Sequence, residues 1–473
     1  MTLDKQTMIR RILIVLVSAA LPAVMWSVPM NPGVGMLLSL VGFFIATRDC
    51  SVAMAWRLGL LYGIVLYGIS LSWLWEIFSS MSVLLWLMLA LFHGVIAGLT
   101  TWARRHVTNV MIFIPGSAAL WTAIEYYRSE WFMLRFPWMT PGTSMGPLWL
   151  HSVLGVYGVT FMMVTLALLI VFTKRNTVKI FLSLLLFSLF LVRPFYHPEE
   201  ERDDWKIPVL AIQRENCDFT SYLEDTRASD FRDGVILWPE YSTCSDIRAT
   251  MVFQPEPLTG VEILRRIAEQ RNVTFIVGAI SPSGQGIPWN EAIVIDRRGE
   301  IGTHYKNRPV HFMKDGIPGK TQNPIMTQWG YVGSPICFDN DYTEVPLRFA
   351  QNGAEVFLVP SLDAEPWTRR QHLQHGELFR LRAVETGRWY VVCATSGLSQ
   401  TIRPDGVRVQ ELPLMEDQIM ETKAYRRQGK TPYVLWGWMF PWLCCAGAIV
   451  FLCFVIRSAW NNTVRLPATP KEG

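Results

Sequence analysis

Seven apolar segments, each near the length that crosses a bilayer, stand in the first 195 residues, and an eighth stands close to the C-terminus. They run roughly over 12–30, 33–47, 58–75, 81–102, 108–125, 149–173 and 179–193, then 434–456, the second and seventh being short. Hydrocarbon offers no partner to a backbone N–H or C=O, so such segments are confined to helices of about 20 residues or to closed barrels, and barrel strands are about half as long. The chain is therefore expected to be a membrane helical bundle of about eight transmembrane helices, carrying whatever lies between the seventh and the eighth. Composition agrees: 51% of the 473 residues are hydrophobic, 20 are Trp, and the mean hydropathy is +0.23. The first segment follows Arg10 and Arg11 but has no small-residue cleavage site, and more spans follow it, so it reads as an anchor.

Charge orients the set. With a cytoplasmic N-terminus, the inside loops hold Lys5, Arg10, Arg11, Arg48, Arg57, Arg104, Arg105, Lys174, Arg175, Lys179, Arg457, Arg465 and Lys471. The short outside loops hold Arg128 and Arg135. This is the bias of the positive-inside rule, and seven spans then place 195–433 outside, in a periplasm if the cell is Gram-negative. The net charge of +4 is spread without basic runs that would point to nucleic acid, so no nucleic-acid partner is expected. Eight cysteines in so long a chain do not make a disulfide framework, and no C-x-x-C pair occurs. Glu125–Trp138 (EYYRSEWFMLRFPW) mixes charges with aromatics and has two readings. One is an interfacial aromatic belt with snorkelling arginines; the other is a loop facing a lipid headgroup or substrate.

From 205 to 430 the composition becomes that of a globular domain. Strands are expected at Pro208–Gln213, Gly234–Trp238, Val273–Ile280, Glu291–Ile295, Tyr331–Cys337, Val356–Pro360 and Tyr390–Ala394, and helices at Gly260–Arg271, Thr343–Asn352 and Arg370–Thr386. The alternation argues for a layered α/β domain. Asn290–Ile301 reads as two strands around an Arg-Gly turn.

Three strand ends carry chemistry: Glu240 in ILWPEYS, Lys306 in HYKNRPV and Cys337 in SPICFD. In open α/β sheets reactive groups gather beyond the carboxyl ends of strands, so residues far apart in sequence can meet there. A carboxylate can take the proton of a thiol, and an ammonium with a backbone N–H can hold the oxyanion of an acyl transfer. Cys217 and Cys244 each follow a strand end by a few residues; they are either a disulfide bracing the Glu240 loop or two unrelated thiols.

These contexts resemble the Glu-Lys-Cys signature of the nitrilase superfamily, whose fold is an α-β-β-α sandwich. Seven spans, such a domain and one final span are similar to the apolipoprotein N-acyltransferase family over nearly the whole chain. Trp121, Glu125, Arg128, Phe136-Pro137-Trp138 and Gly155-Val156-Tyr157-Gly158 match its W-x-x-x-E, F-P-W and G-x-Y-G patterns. Ser361-Leu362-Asp363, Gln371-His372 and Phe379–Arg388 look like its S-x-D and R-A-x-E-x-G-R segments. Two places depart. Where the family usually has V-P-F-G-E after the lysine, this chain has Lys314 at the glutamate's spacing and Asp315 one place later. Where it usually has Tyr-Glu after the nucleophile, this chain has Phe338-Asp339.

The resemblance implies a domain order of 1–195 seven-helix membrane domain, 205–430 periplasmic nitrilase-like catalytic domain and 434–457 final transmembrane helix. It implies an inner-membrane N-acyltransferase with Glu240 as base, Cys337 as nucleophile, and Lys306 with the Phe338 N–H at the oxyanion. Asp315, Asp339, Ser361 and Trp138 are its expected substrate-side residues. The expected partners are a phospholipid acyl donor and a lipoprotein acceptor, acting on a monomer through a Cys thioester, with no metal and no organic cofactor. The altered residues after Lys306 and Cys337 keep open an amidase or an acyltransferase for another amine.

Overall fold

The computed structural model describes residues 5–25, 32–174, 176–195, 201–251 and 257–464. The chain divides into two compact units, one of residues 1–146, 154–192 and 436–473 and one of residues 147–153 and 193–435. Arg175, Arg465 and Lys471 lie outside the described residues, as does the end of the first apolar segment.

The first unit is helical. Its long helices are α1 (Lys5–Met25), α2 (Pro32–Thr47), α3 (Val52–Ser70), α4 (Met81–His106), α5 (Val110–Tyr126), α6 (Trp149–Phe172), α7 (Asn176–Leu189) and, at the far end of the chain, α12 (Phe440–Val464). Each stands on one of the eight apolar segments. Among the described residues, five stretches are long and apolar enough to cross a membrane by themselves: α1, α3, α4, α6 and Gly437–Asn462. Helix α3 lies against α4 through Gly59 and Gly63, where a Cβ would come 2.5 Å from the His93 carbonyl oxygen and 2.5 Å from Ala90 Cα. This small-xxx-small spacing is what lets two apolar helices approach closely without a hydrophobic driving force between them. Inside α6, Gly155 has φ +67° and breaks the helical path, which only glycine does cheaply.

The second unit is an α-β-β-α sandwich. Its first half holds β1 (Lys206–Gln213), α8 (Phe219–Ala228), β2 (Gly234–Leu237), α9 (Gly260–Arg271), β3 (Val273–Ser281), β4 (Trp289–Asp296) and β5 (Gly299–Tyr305). Its second half holds β6 (Ile325–Thr327), β7 (Gly330–Gly333), α10 (Glu344–Gln351), β8 (Val356–Ser361), α11 (Thr368–Thr386), β9 (Tyr390–Ala394), β10 (Gln400–Ile402), β11 (Arg408–Glu411) and β12 (Gln418–Tyr425). One six-stranded sheet runs β12-β1-β2-β3-β4-β5 and the other β11-β10-β9-β8-β7-β6. In each, the three central strands, β1-β2-β3 and β7-β8-β9, are parallel, and the flanking pairs are antiparallel.

Period-two alternation builds two cores from one sheet. On β1, Ile207, Val209 and Ala211 join Leu237, Ile276, Leu358 and Val391 between the sheets. The intervening Leu210 and Ile212 join Trp238, Phe275, Tyr222 and Leu264 under α8 and α9. Burial on both faces is why the central strands read as continuous apolar runs. Helix α9 starts where Thr259 accepts from the Glu262 N–H and stops at Asn272 in the left-handed region.

The expected strand Tyr331–Cys337 is corrected. Strand β7 ends at Gly333, because Pro335 has no N–H for the ladder. Cys337 instead opens a 3₁₀ turn (Cys337–Asn340) with φ +45°.

Candidate active site

Glu240, Lys306 and Cys337 come together although the chain separates them widely. Glu240 follows β2 and is fully buried; Lys306 is the first residue after β5. The Lys306 Nζ lies 2.7 Å from Glu240 Oε1 and 2.7 Å from Asp315 Oδ2. Asn290 Nδ2 donates to the same two carboxylates, at 2.6 Å to Glu240 and 2.9 Å to Asp315. Leu362 then joins Glu240 to Cys337: its N–H donates to Glu240 Oε2 at 2.9 Å, and its carbonyl accepts from the Cys337 thiol at 3.3 Å. Cys337 is held at a positive φ, a conformation that costs a non-glycine residue energy and recurs at functional turns.

The charges follow from burial and from one ammonium shared by two carboxylates. Burial pushes Glu240 above the ordinary glutamate range, and Asp315 adds to that while Lys306 pulls it back. Burial works against the Lys306 ammonium, but Asp315 and Glu240 outweigh it and hold the amine charged. Burial and the Glu240 carboxylate raise the Cys337 thiol well above its usual value, with Lys306 opposing. The resting site thus holds a neutral thiol beside a carboxyl group readier than usual to accept a proton.

Asp315 does not stand free to meet a substrate. Besides Lys306 and Asn290, it accepts from the Tyr241 hydroxyl at 2.6 Å and the Val310 N–H at 2.7 Å. Despite burial, the Lys306 charge keeps it below the usual carboxylate range. Lys314, which occupies the expected glutamate spacing, is exposed. Asp315, one residue beyond that spacing, is the carboxylate that reaches Lys306.

Asp339 is a brace rather than a substrate-side residue. It is fully buried and accepts from the Ile336, Asn307 and Arg308 N–H groups at 3.0, 2.9 and 2.7 Å, and it pairs with His304 Nε2 at 3.1 Å. It therefore ties the Cys337 turn to the Lys306 loop. Ser361 ends β8 with a buried hydroxyl that has no partner among the described residues. Phe338 is half-buried and packs edge-on to Tyr342.

Sequence reasoning missed His375. On α11 it lies 2.8 Å from Asp363 Oδ1 and 3.1 Å from Asp341 Oδ1, so one imidazole bridges the residue after Leu362 to the turn after Cys337. Burial opposes its charge, but Asp363 and Asp341 push its pKa up to about 10. Gln371 also donates to Asp363 Oδ1, at 2.8 Å. The only signal in the sequence was a His one turn beyond Gln371-His372. The R-A-x-E-x-G-R segment is architectural: Arg382 pairs with Glu385, and Arg388 donates to the Ala354 carbonyl at 2.6 Å and the Gly429 carbonyl at 2.5 Å. Cys217 and Cys244 form a disulfide, with Cα atoms 5.3 Å apart.

In the helical unit, the snorkelling reading of Glu125–Trp138 fails for Arg128. Its guanidinium is buried, 3.2 Å from Glu125 Oε2, and donates at 2.8 Å to the Phe136 carbonyl. Tyr127, Trp131 and Met133 are the exposed apolar residues of this stretch. Trp138 is buried, its ring 4.8 Å from Trp73 and stacked on Phe136 at 5.8 Å.

Comparison with known proteins is consistent with both units. Residues 16–169 match the apolipoprotein N-acyltransferase N-terminal domain and residues 226–426 match the carbon-nitrogen hydrolase domain. An apolipoprotein N-acyltransferase of Pseudomonas syringae pv. tomato is 25% identical over 468 residues, covering 86% of this chain and 90% of that protein. One from Azotobacter vinelandii is 26% identical, covering 85% and 86%. Among solved structures, a member of branch 10 of the nitrilase superfamily from Saccharomyces cerevisiae aligns over 57% of this chain and 97% of its own, at 19% identity and a TM-score of 0.38.

Proposed function

Because the chain belongs to the apolipoprotein N-acyltransferase family, within the nitrilase superfamily, we propose that it moves an acyl chain from a membrane phospholipid to the N-terminal amine of diacylglyceryl-cysteine lipoproteins. It is a multi-pass bacterial membrane enzyme, and the basic bias of the loops supports a catalytic unit facing the periplasm. The observation that carries the mechanism is the Leu362 backbone, which bonds Glu240 on one side and the Cys337 thiol on the other.

In this reading Glu240 takes the thiol proton and Cys337 Sγ attacks the ester carbonyl of the phospholipid. Lys306 and the Phe338 N–H hold the oxyanion. The C–O bond breaks, Glu240 returns its proton to the departing alkoxide, and a lysophospholipid leaves a thioester on Cys337. The lipoprotein amine then attacks that thioester and gives a proton to Glu240. The C–S bond breaks, an amide is released, and the proton returns to the thiol. A donor and an acceptor that both reside in the bilayer account for joining a catalytic sandwich to apolar helices.

Phe338, in place of the family's tyrosine, is the observation that favours a second acceptor class, another amine or an amide. Complementation of a conditional apolipoprotein N-acyltransferase mutant, with mass spectrometry of lipoprotein N-termini, separates the two readings. Triacylated N-termini support lipoprotein acylation; growth failure with diacylated N-termini rejects it.

A further inference from the structure

At the end of the helical unit where α2, α4 and α6 finish, the loop after α2 and the last turn of α4 enclose a cavity of about 240 Å³. Its walls include Arg48, Arg104 and Arg105, and its floor the buried Thr47, Thr100 and Thr101. Asp49, exposed and 3.9 Å from Arg48, is the one carboxylate in the lining, so the cavity is net positive. None of these residues takes part in the chemistry above.

Two of the three guanidinia, those of Arg104 and Arg105, are held in place. Arg104 donates through Nη1 to the Val107 and Thr108 carbonyls at 2.8 and 3.1 Å, and lies over the rings of Phe113 and Phe172 at 5.3 and 6.0 Å. Arg105 donates through Nη2 to the Cys50 carbonyl at 2.6 Å. Arg11 fastens the loop from behind, donating to the Ala46 and Arg48 carbonyls at 2.6 and 2.7 Å. Each of these bonds uses one nitrogen of a fork that carries five N–H donors. A fixed guanidinium with donors to spare loses little freedom when it grips a planar or tetrahedral oxyanion.

The cavity also lies where a lipid headgroup would. Thr47 and Phe172 are the last residues of α2 and α6, and Arg104 and Arg105 lie in the last turn of α4. The neighbouring Ile45, Met111 and Ile112 are exposed apolar side chains able to receive acyl chains. Basic recesses between membrane helices are where anionic phosphate headgroups settle.

We infer that this cavity binds the phosphate headgroup of an anionic phospholipid, apart from the donor lipid that reaches Cys337. The proposal does not depend on the catalytic reading. The test is titration of the detergent-solubilised full chain with dioctanoyl phosphatidylglycerol, dioctanoyl phosphatidylcholine or inorganic phosphate, followed by native mass spectrometry and thermal unfolding. Phosphatidylglycerol is expected to give a retained adduct and a raised Tm that phosphatidylcholine does not match. Arg48→Gln should weaken that adduct roughly fivefold and Arg104→Gln/Arg105→Gln roughly twenty-five-fold, as about one basic contact each predicts. Arg48 is exposed and its one ion pair is long, so its variant keeps the test open if the double variant folds poorly. Equal binding of the two lipids, or unchanged affinity in Arg48→Gln, would overturn the proposal. Inorganic phosphate protecting as well as the lipid would replace the lipid with a free anion.

Discussion

Replacing Asp315 by Asn keeps the side chain's shape and removes its charge from the shared ammonium. The Glu240 and Asp315 oxygens each lie 2.7 Å from Lys306 Nζ, so they stand no farther apart than twice that distance. At an effective dielectric constant of about 20, two such carboxylates repel by roughly 3 kcal/mol. Asp315 is one of the influences that raise Glu240, so its neutralisation should lower the Glu240 pKa. Catalysis needs Glu240 unprotonated, so the acid limb of kcat/KM should move to lower pH. The same change weakens a charge-assisted bond to Lys306, worth about 1.5–3 kcal/mol, or roughly ten- to a hundredfold in turnover at the pH optimum. The assay is acyl transfer from phospholipid to a diacylglyceryl-cysteine peptide in mixed micelles, followed by chromatography across pH 4–9. Lys314→Gln serves as control, since Lys314 is exposed, and should leave rate and profile unchanged. An acid limb that stays put or moves upward in Asp315→Asn, or a Lys314 effect as large as the Asp315 effect, would refute the placement of the carboxylate.

Other consequences follow from the same geometry. Lys306→Met should slow thioester formation by roughly 10²–10³, the usual loss for one strong oxyanion contact, as read by quenched single-turnover mass spectrometry. His375→Gln should leave two buried carboxylates short of their cation, at a cost of about 3–5 kcal/mol, and lower kcat more than it changes KM for the peptide. Because the folded-state pKa of His375 is raised to about 10, its contribution is complete below the unfolded value near 6.5 and is lost as pH rises through about 10. Wild-type Tm should therefore show a decline over that window that His375→Gln lacks. The Cys217–Cys244 bond closes a separation of 27 residues, which the loop-entropy relation values at about 3.5 kcal/mol. Cys217→Ser should lower Tm as reductant does for wild type, and non-reducing peptide maps should show the linked pair; free alkylated thiols would reject it.

The sequence was most legible where local chemistry and burial coincide. Buried parallel strands must be apolar throughout, so β2, β3, β8 and β9 stood out, and Glu240 and Lys306 could be assigned to strand ends. Cys337 was found for its context and misplaced in conformation, because Ile336 and Cys337 prolong an apolar run that Pro335 has already taken out of the sheet. Strand β12 escaped notice: Gln418–Tyr425 is largely polar, and its partner β1 lies some 200 residues earlier. Asp339 resembled a substrate residue by its nearness to Cys337 in sequence, but nearness says nothing about direction, and its carboxylate turns inward to four partners. His375 was hidden for a related reason: its two carboxylate partners come from different loops, and no local pattern reveals a bridge between them.

The central claim is that Cys337 carries the acyl group. Purified protein incubated with phospholipid and no acceptor, then digested and analysed by mass spectrometry, should show one acyl chain on the Cys337 peptide. Hydroxylamine should release it, and added diacylglyceryl-cysteine peptide should discharge it as an amide. Cys337→Ala should show no such adduct and no turnover while still inserting into membranes. An acyl group on another residue, or ordinary turnover in Cys337→Ala, would contradict the account.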